Sequence, residues 1–123
     1  MPETREPTLR VTMLPRDTNA HGTIFGGVIL SHIDLAGGVA ASRQARRNFV
    51  TRAMREVEFI APVYVGDVVS FYTAIQRQGT TSLTVRVEVE AERFDNPRHT
   101  VRVTAAEVVY VAIDEAGKPL SIG

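Results

Sequence analysis

Apolar positions change their spacing along this chain, and the change divides it into elements. Residues 8–14 alternate well enough for a short strand, which Pro15 ends because proline brings no N–H to a ladder. Pro15-Arg16-Asp17-Thr18-Asn19 has turn chemistry, with Asp and Asn side chains able to bond nearby backbone. From residue 26 to 47 the period becomes helical. At about 100° per residue, Ile29, Ile33, Ala36 and Ala40 form one apolar stripe. Gly27, Leu30, Gly38, Ala41 and Ala45 form another, and Asp34 lies within it. His32 and Arg43 read as the water-facing positions, roughly opposite Asp34, so the spacing predicts a helix enclosed by other structure.

The rest of the chain is β-rich. Strands are expected over 50–60, 68–76, 82–94 and 100–114, with turns at Gly66-Asp67, Gln78-Gly79-Thr80 and Asp95-Asn96-Pro97. Residues 82–94 give the clearest period of two: Leu83, Val85, Val87, Val89 and Ala91 on one face, Thr84, Arg86, Glu88, Glu90 and Glu92 on the other. Short connections favour antiparallel neighbours. The order predicts an α+β fold over 1–123, a five-stranded antiparallel sheet wrapped around one long helix, with loose termini at 1–7 and 120–123. Long open edges call for a partner, so a dimer at least is expected.

Composition narrows the function classes. With 123 residues, 44% hydrophobic and 23% charged, the chain suits one globular domain. Lys plus Arg and Asp plus Glu balance at 14 each, which speaks against a non-specific nucleic-acid binder. The sequence holds no membrane-length apolar run and no signal-peptide core near Met1, so a cytoplasmic protein without membrane partners is expected. Without cysteine there is no disulfide or thiol nucleophile, and His21, His32 and His99 lack metal-ligand spacing, so no metal is expected.

Asp34 is the first chemical candidate. Its helical neighbours Gly27, Leu30, Ser31, Gly37, Gly38 and Ala41 are mostly small, and a carboxylate on such a face is costly unless paired or used. Gly22, Gly26 and Gly27 suit a turn entering a helix, whose free N–H groups can receive an oxyanion. Asn19 is either a turn residue or an amide that orients water or a carbonyl, and His21 a loop residue or a base. Thr80, Thr81 and Ser82 offer hydroxyls and amides to an extended ligand. Arg93, Arg98 and Arg102 near one turn can hold phosphate.

Five stretches together carry a family resemblance. Asn19-Ala20-His21-Gly22-x-x-Phe25-Gly26-Gly27 with Asp34, Phe59-x-x-Pro62-Val63-x-Val65-Gly66-Asp67, Gly79-Thr80-Thr81-Ser82 and the stretch from Tyr110 to Pro119 resemble hotdog-fold acyl-CoA thioesterases of the YciA and cytosolic acyl-CoA hydrolase group. The resemblance implies a helix wrapped by its sheet, dimers with active sites between protomers, and trimers of such dimers. It implies thioester hydrolysis to free acid and coenzyme A, with Asp34 as general base or nucleophile, Asn19 contributed by a neighbouring subunit, and an oxyanion donor at Gly27. His21, Gly26, Thr80, Thr81, Ser82, Arg93 and Arg98 would contact the substrate. Coenzyme A then belongs to substrate and product, and no cofactor is implied. Val28 departs from the aromatic that members often carry there, and Arg93-Phe94-Asp95 from a lysine pair. The competing readings are an acyl-thioester hydratase or dehydratase using His21, and a non-catalytic acyl-CoA-binding module.

Overall fold

Strand β4 (Ser82–Arg93) is the backbone of the core, because its alternation gives it one fully apolar face. Leu83, Val85, Val87, Val89 and Ala91 are completely buried there. Each of the leucine and valine side chains among them contributes about 1.5–3 kcal/mol relative to exposure. Against this face lies helix α1 (Gly26–Gln44), which buries Ile29, Ile33, Ala36, Gly37 and Ala41. The remaining strands are β1 (Leu9–Thr12), β2 (Asn48–Arg55), β3 (Val68–Gln78) and β5 (Asn96–Ile113). This computed structural model describes residues 5–123.

All neighbouring strands are antiparallel, and the sheet order is β1-β3-β4-β5-β2. The five-stranded sheet wrapped on one long helix is the expected architecture, and α1 packs on β2, β3, β4 and β5. Two edges result, the short β1 and the eight-residue β2. Residues 56–67 cross from β2 to β3 over the start of the helix, where Ile24 N–H bonds the Val63 carbonyl at 2.8 Å.

Several boundaries differ from the sequence reading. The helix stops at Gln44 rather than Arg47, because Asn48 must already pair with Ile113 in the ladder. Strand β2 covers 48–55 rather than 50–60, ending where Glu56 takes a positive φ of 55°. The turn before β5 is Phe94-Asp95, so β5 begins at Asn96. The tail at 120–123 is docked, not loose. Ile122 is only 6% exposed, its N–H bonds Thr80, and Arg47 holds the Ser121 carbonyl at 3.0 Å. At the other terminus residues 1–4 lie outside the described residues, but Arg5 is held by Glu90 at 2.6 Å and lies over the Tyr72 ring.

Candidate active site

The loop before α1 is built by Asn19. Its Oδ1 accepts the N–H groups of His21 (2.8 Å) and Thr23 (3.2 Å), and its Nδ2 donates to Thr23 Oγ1 at 2.8 Å. Gly22 sits at φ +86°, the left-handed region that glycine adopts freely. The chain then enters the helix at Phe25 with no side-chain cap. Val28 N–H returns to the Phe25 carbonyl at 2.9 Å, while the N–H groups of Gly26 and Gly27 have no partner among the described residues. Two aromatic rings cover these glycines. A Cβ on Gly27 would meet Phe25 at 2.6 Å, and one on Gly26 would meet Phe59 at 3.6 Å. The result is a pair of unused donors at the positive end of a helix, with two aromatic rings packed beside their glycines.

Two turns further along, Asp34 is held by hydroxyls from the sheet. Thr51 Oγ1 donates to Asp34 Oδ1 at 2.6 Å. The Tyr110 hydroxyl lies 2.7 Å from the Asp34 backbone carbonyl and 3.2 Å from Oδ1, so its proton is shared between them. Thr51 and Tyr110 are directly opposed across β2 and β5, and the ladder shifts register at the next residue, Arg52. Such a bulge re-aims side chains. Burial first, then the Asp34 charge and its hydrogen bond, pushes the Tyr110 phenol above the ordinary tyrosine range. It therefore stays a neutral donor. Neither residue stood out in the sequence, since Thr and Tyr are ordinary strand formers.

Asp34 borders a groove of about 540 Å³ lined by Leu35, Gly38, Val39, Phe49, Thr51 and Tyr110, with Ser42 and Arg43 toward its far end. The helix face beside it is open: Leu35 is 62% exposed and Val39 40%. This corrects the orientation read from the sequence. His32 does not face water but is half-buried, bonding the Val28 carbonyl and stacking on Phe71. An apolar helix carries too little polarity contrast to reveal which side its own sheet leaves uncovered.

The other expected site residues are dispersed. Thr80 and Thr81 lie at the C-terminal end of α1, where Gln44 reaches Gln78 at 3.3 Å, and their carbonyls accept Ile122 and Ala112 N–H groups. Ser82 starts β4 and Arg93 ends it, so at about 3.3 Å per residue they are roughly 35 Å apart. One chain thus does not bring Thr80–Ser82 together with Arg93 or Arg98. Arg93 donates to buried Asp67 (2.7 Å) and the Pro62 carbonyl (2.9 Å). Arg98 and His21 are exposed. Gly27 and Asp34 share a helix face but are separated by seven residues, about 10 Å along the axis, with Leu30 and Ser31 between. An oxyanion donor and an acid that serve one carbonyl each need to lie about 3 Å from the reacting atoms. Gly27 and Asp34 of one chain do not meet that condition.

Comparison with known proteins adds the following. The family model described as the thioesterase superfamily matches residues 21–93. The acyl-CoA thioester hydrolase YciA of Salmonella typhimurium is 39% identical over 116 residues, 93% of this chain and 87% of the relative. The crystal structure of a hexameric hotdog-fold thioesterase of Campylobacter jejuni superposes with a TM-score of 0.90 at 42% identity, covering 97% of this chain and 91% of that one. A hexameric thioesterase from Yersinia pestis gives a TM-score of 0.90 at 38% identity, covering 96% and 95%.

Proposed function

We propose that this chain, which belongs to the thioesterase superfamily, assembles its catalytic site from two copies of itself. It is an acyl-CoA thioester hydrolase, releasing a free acid and coenzyme A. The observation that carries the two-copy reading is the gap between the free donors at Gly26-Gly27 and the acid at Asp34, which one helix cannot close. A neighbouring copy paired on the open edge of β2 would lay its helix along the exposed Leu35 and Val39 stripe. Its Asn19 and Gly27 would then face Asp34. Trimerisation of such dimers would give the hexamer described for the Campylobacter and Yersinia structures.

In this arrangement the thioester carbonyl lies between two subunits. Asp34 acts through its unbonded oxygen, as base toward water or as nucleophile, while the Gly27 N–H of the other copy takes the charge that develops on the carbonyl oxygen. Collapse breaks the C–S bond. With Asp34 as base, the departing thiolate of coenzyme A takes up the proton drawn from water. With Asp34 as nucleophile, water then cleaves the mixed anhydride to the free acid, restoring the carboxylate and supplying the proton to the thiolate. Asn19 orients the carbonyl or the water, with Gly26 and His21 beside it. The coenzyme arm runs along the groove from Asp34 toward Thr80, Thr81 and Ser82. Arg98 is the exposed candidate for a phosphate, and Arg93 the one already committed to Asp67. No cofactor enters the reaction, and the cytoplasm expected from the sequence is the proposed compartment. Among the described residues no helix is long and apolar enough to cross a membrane.

A thiol-release assay over acyl-CoAs of different length and polarity tests this reading. Thiol release from some of the panel is expected, with Asp34→Ala at least ~10²-fold slower. Near-normal turnover by well-folded Asp34→Ala protein would overturn it. Coenzyme A binding without any release would instead support a binding module.

A further inference from the structure

We infer that Tyr110 is a positioning residue for Asp34: its hydroxyl, admitted to the helix by Gly37, locks one carboxylate oxygen and leaves the other as the reacting atom. This rests on the hydrolase reading above. The carboxylate torsion of an aspartate is soft and roughly two-fold, so an unheld Asp34 would spread its oxygens over a broad arc. Here Oδ1 takes both hydroxyls, Thr51 at 2.6 Å and Tyr110 at 3.2 Å, and Oδ2 has no partner among the described residues. Because the two oxygens are chemically alike, whichever one accepts the hydroxyls is anchored, and the other faces the groove.

Tyr110 is the stiffer of the two anchors. It is 2% exposed and sits mid-sheet, paired with Leu83 on one side and Thr51 on the other. Its ring can reach Asp34 only because position 37 has no side chain. A Cβ there would fall on the hydroxyl and lie 3.0 Å from two ring carbons. Glycine within a helix costs about 1 kcal/mol relative to alanine, so Gly37 is a local destabilisation whose structural effect is the access of this phenol. Burial keeps the phenol protonated, so it remains a donor to the carboxylate rather than a second anion beside it.

The test is kinetic, on the assembled full-length protein. Tyr110→Phe keeps the ring and removes this anchor, leaving Thr51 as the other. Its kcat for a hydrolysed acyl-CoA is expected to fall ~10–100-fold, the range for losing a hydrogen bond to a charged group, with KM within about twofold. A merely structural tyrosine would lower the fraction of folded protein and leave kcat per folded site unchanged. Asp34→Asn is run in parallel. If Asp34→Asn is inactive while folded Tyr110→Phe shows unchanged kcat per folded site, the positioning role is overturned. If Asp34→Asn turns over normally, the underlying hydrolase reading has failed instead. Should Tyr110→Phe not fold, Gly37→Ala supplies the same readout by pushing the hydroxyl off Asp34, and an unchanged kcat per folded site there would equally sink the inference.

Discussion

The Gly37 Cα and the Tyr110 ring are packed so closely that any side chain at position 37 would occupy the space of the phenol hydroxyl. The stability of Gly37→Ala therefore sets two terms against each other. Alanine gains about 1 kcal/mol in helix propensity. Overpacking a buried site costs about 1–3 kcal/mol, since the Tyr110 hydroxyl can be displaced from Asp34 only against the packing of the sheet that holds its ring. A net loss of up to ~2 kcal/mol is expected. In a Tyr110→Phe background the hydroxyl clash disappears, so the same substitution should cost less. Denaturant unfolding of both singles and the double variant measures this, and additivity within ~0.5 kcal/mol would mean that the two residues do not touch.

A shared site makes a quantitative prediction about mixed subunits. Asp34→Ala protein lacks the acid, and Asn19→Ala protein lacks the facing amide, so each alone should be nearly inactive. In a mixed dimer one site combines the intact Asp34 of one chain with the intact Asn19 of the other, and its symmetry mate carries both defects. Random mixing makes half of the dimers mixed, each with one of two sites working. Co-expressed variants should thus recover about a quarter of wild-type activity. No recovery above the single variants would place both residues in one chain's site.

How much of this was legible before folding follows from which contacts are local. The helix, the strand order and Asp34 as an acid among small residues could be read because the period of apolar positions is a local property. The helix end could not, since Arg46 and Arg47 are good helix formers and yield only because Asn48 is needed opposite Ile113. Thr51 and Tyr110 escaped notice for a similar reason. They meet Asp34 through a cross-strand pairing and an adjacent bulge, and neither leaves a trace in hydrophobic spacing. The exposed face at Leu35 and Val39 leaves no mark in the sequence, because apolar residues that their own sheet leaves uncovered look the same there as apolar residues turned to a core.

Arg93 distinguishes a structural ion pair from a ligand contact. Buried Asp67 receives Arg93 Nη1 at 2.7 Å, Tyr64 N–H at 2.9 Å and Phe94 N–H at 3.1 Å, tying the crossing segment to the β4–β5 turn. Removing one partner of a buried pair typically costs about 3–5 kcal/mol, because the other is left charged and unpaired. Arg93→Gln is expected to lower the melting temperature by roughly 10 °C or more while KM for acyl-CoA stays within about twofold. A tenfold rise in KM at unchanged stability would instead make Arg93 a ligand for the phosphates of coenzyme A.

The buried phenol also predicts how the fold responds to alkali. Below pH ~10 Tyr110 holds its proton in both the folded and the unfolded chain, and its contribution to stability does not vary. Above that, the unfolded chain releases the proton, while burial and the charge of Asp34 keep the folded phenol neutral. The folded state then binds more protons than the unfolded one, so stability falls as pH rises, by up to about 1.36 kcal/mol per unit. Tyr110→Phe lacks this term, and the other titrating groups are common to both proteins. Between pH 9 and 11 the wild-type protein should therefore lose ~1.4 kcal/mol more than Tyr110→Phe, measured as the difference between two denaturant titration series. Parallel curves would show that Tyr110 ionises as easily in the folded protein as in the open chain, and its buried hydrogen bond to Asp34 would have to be abandoned.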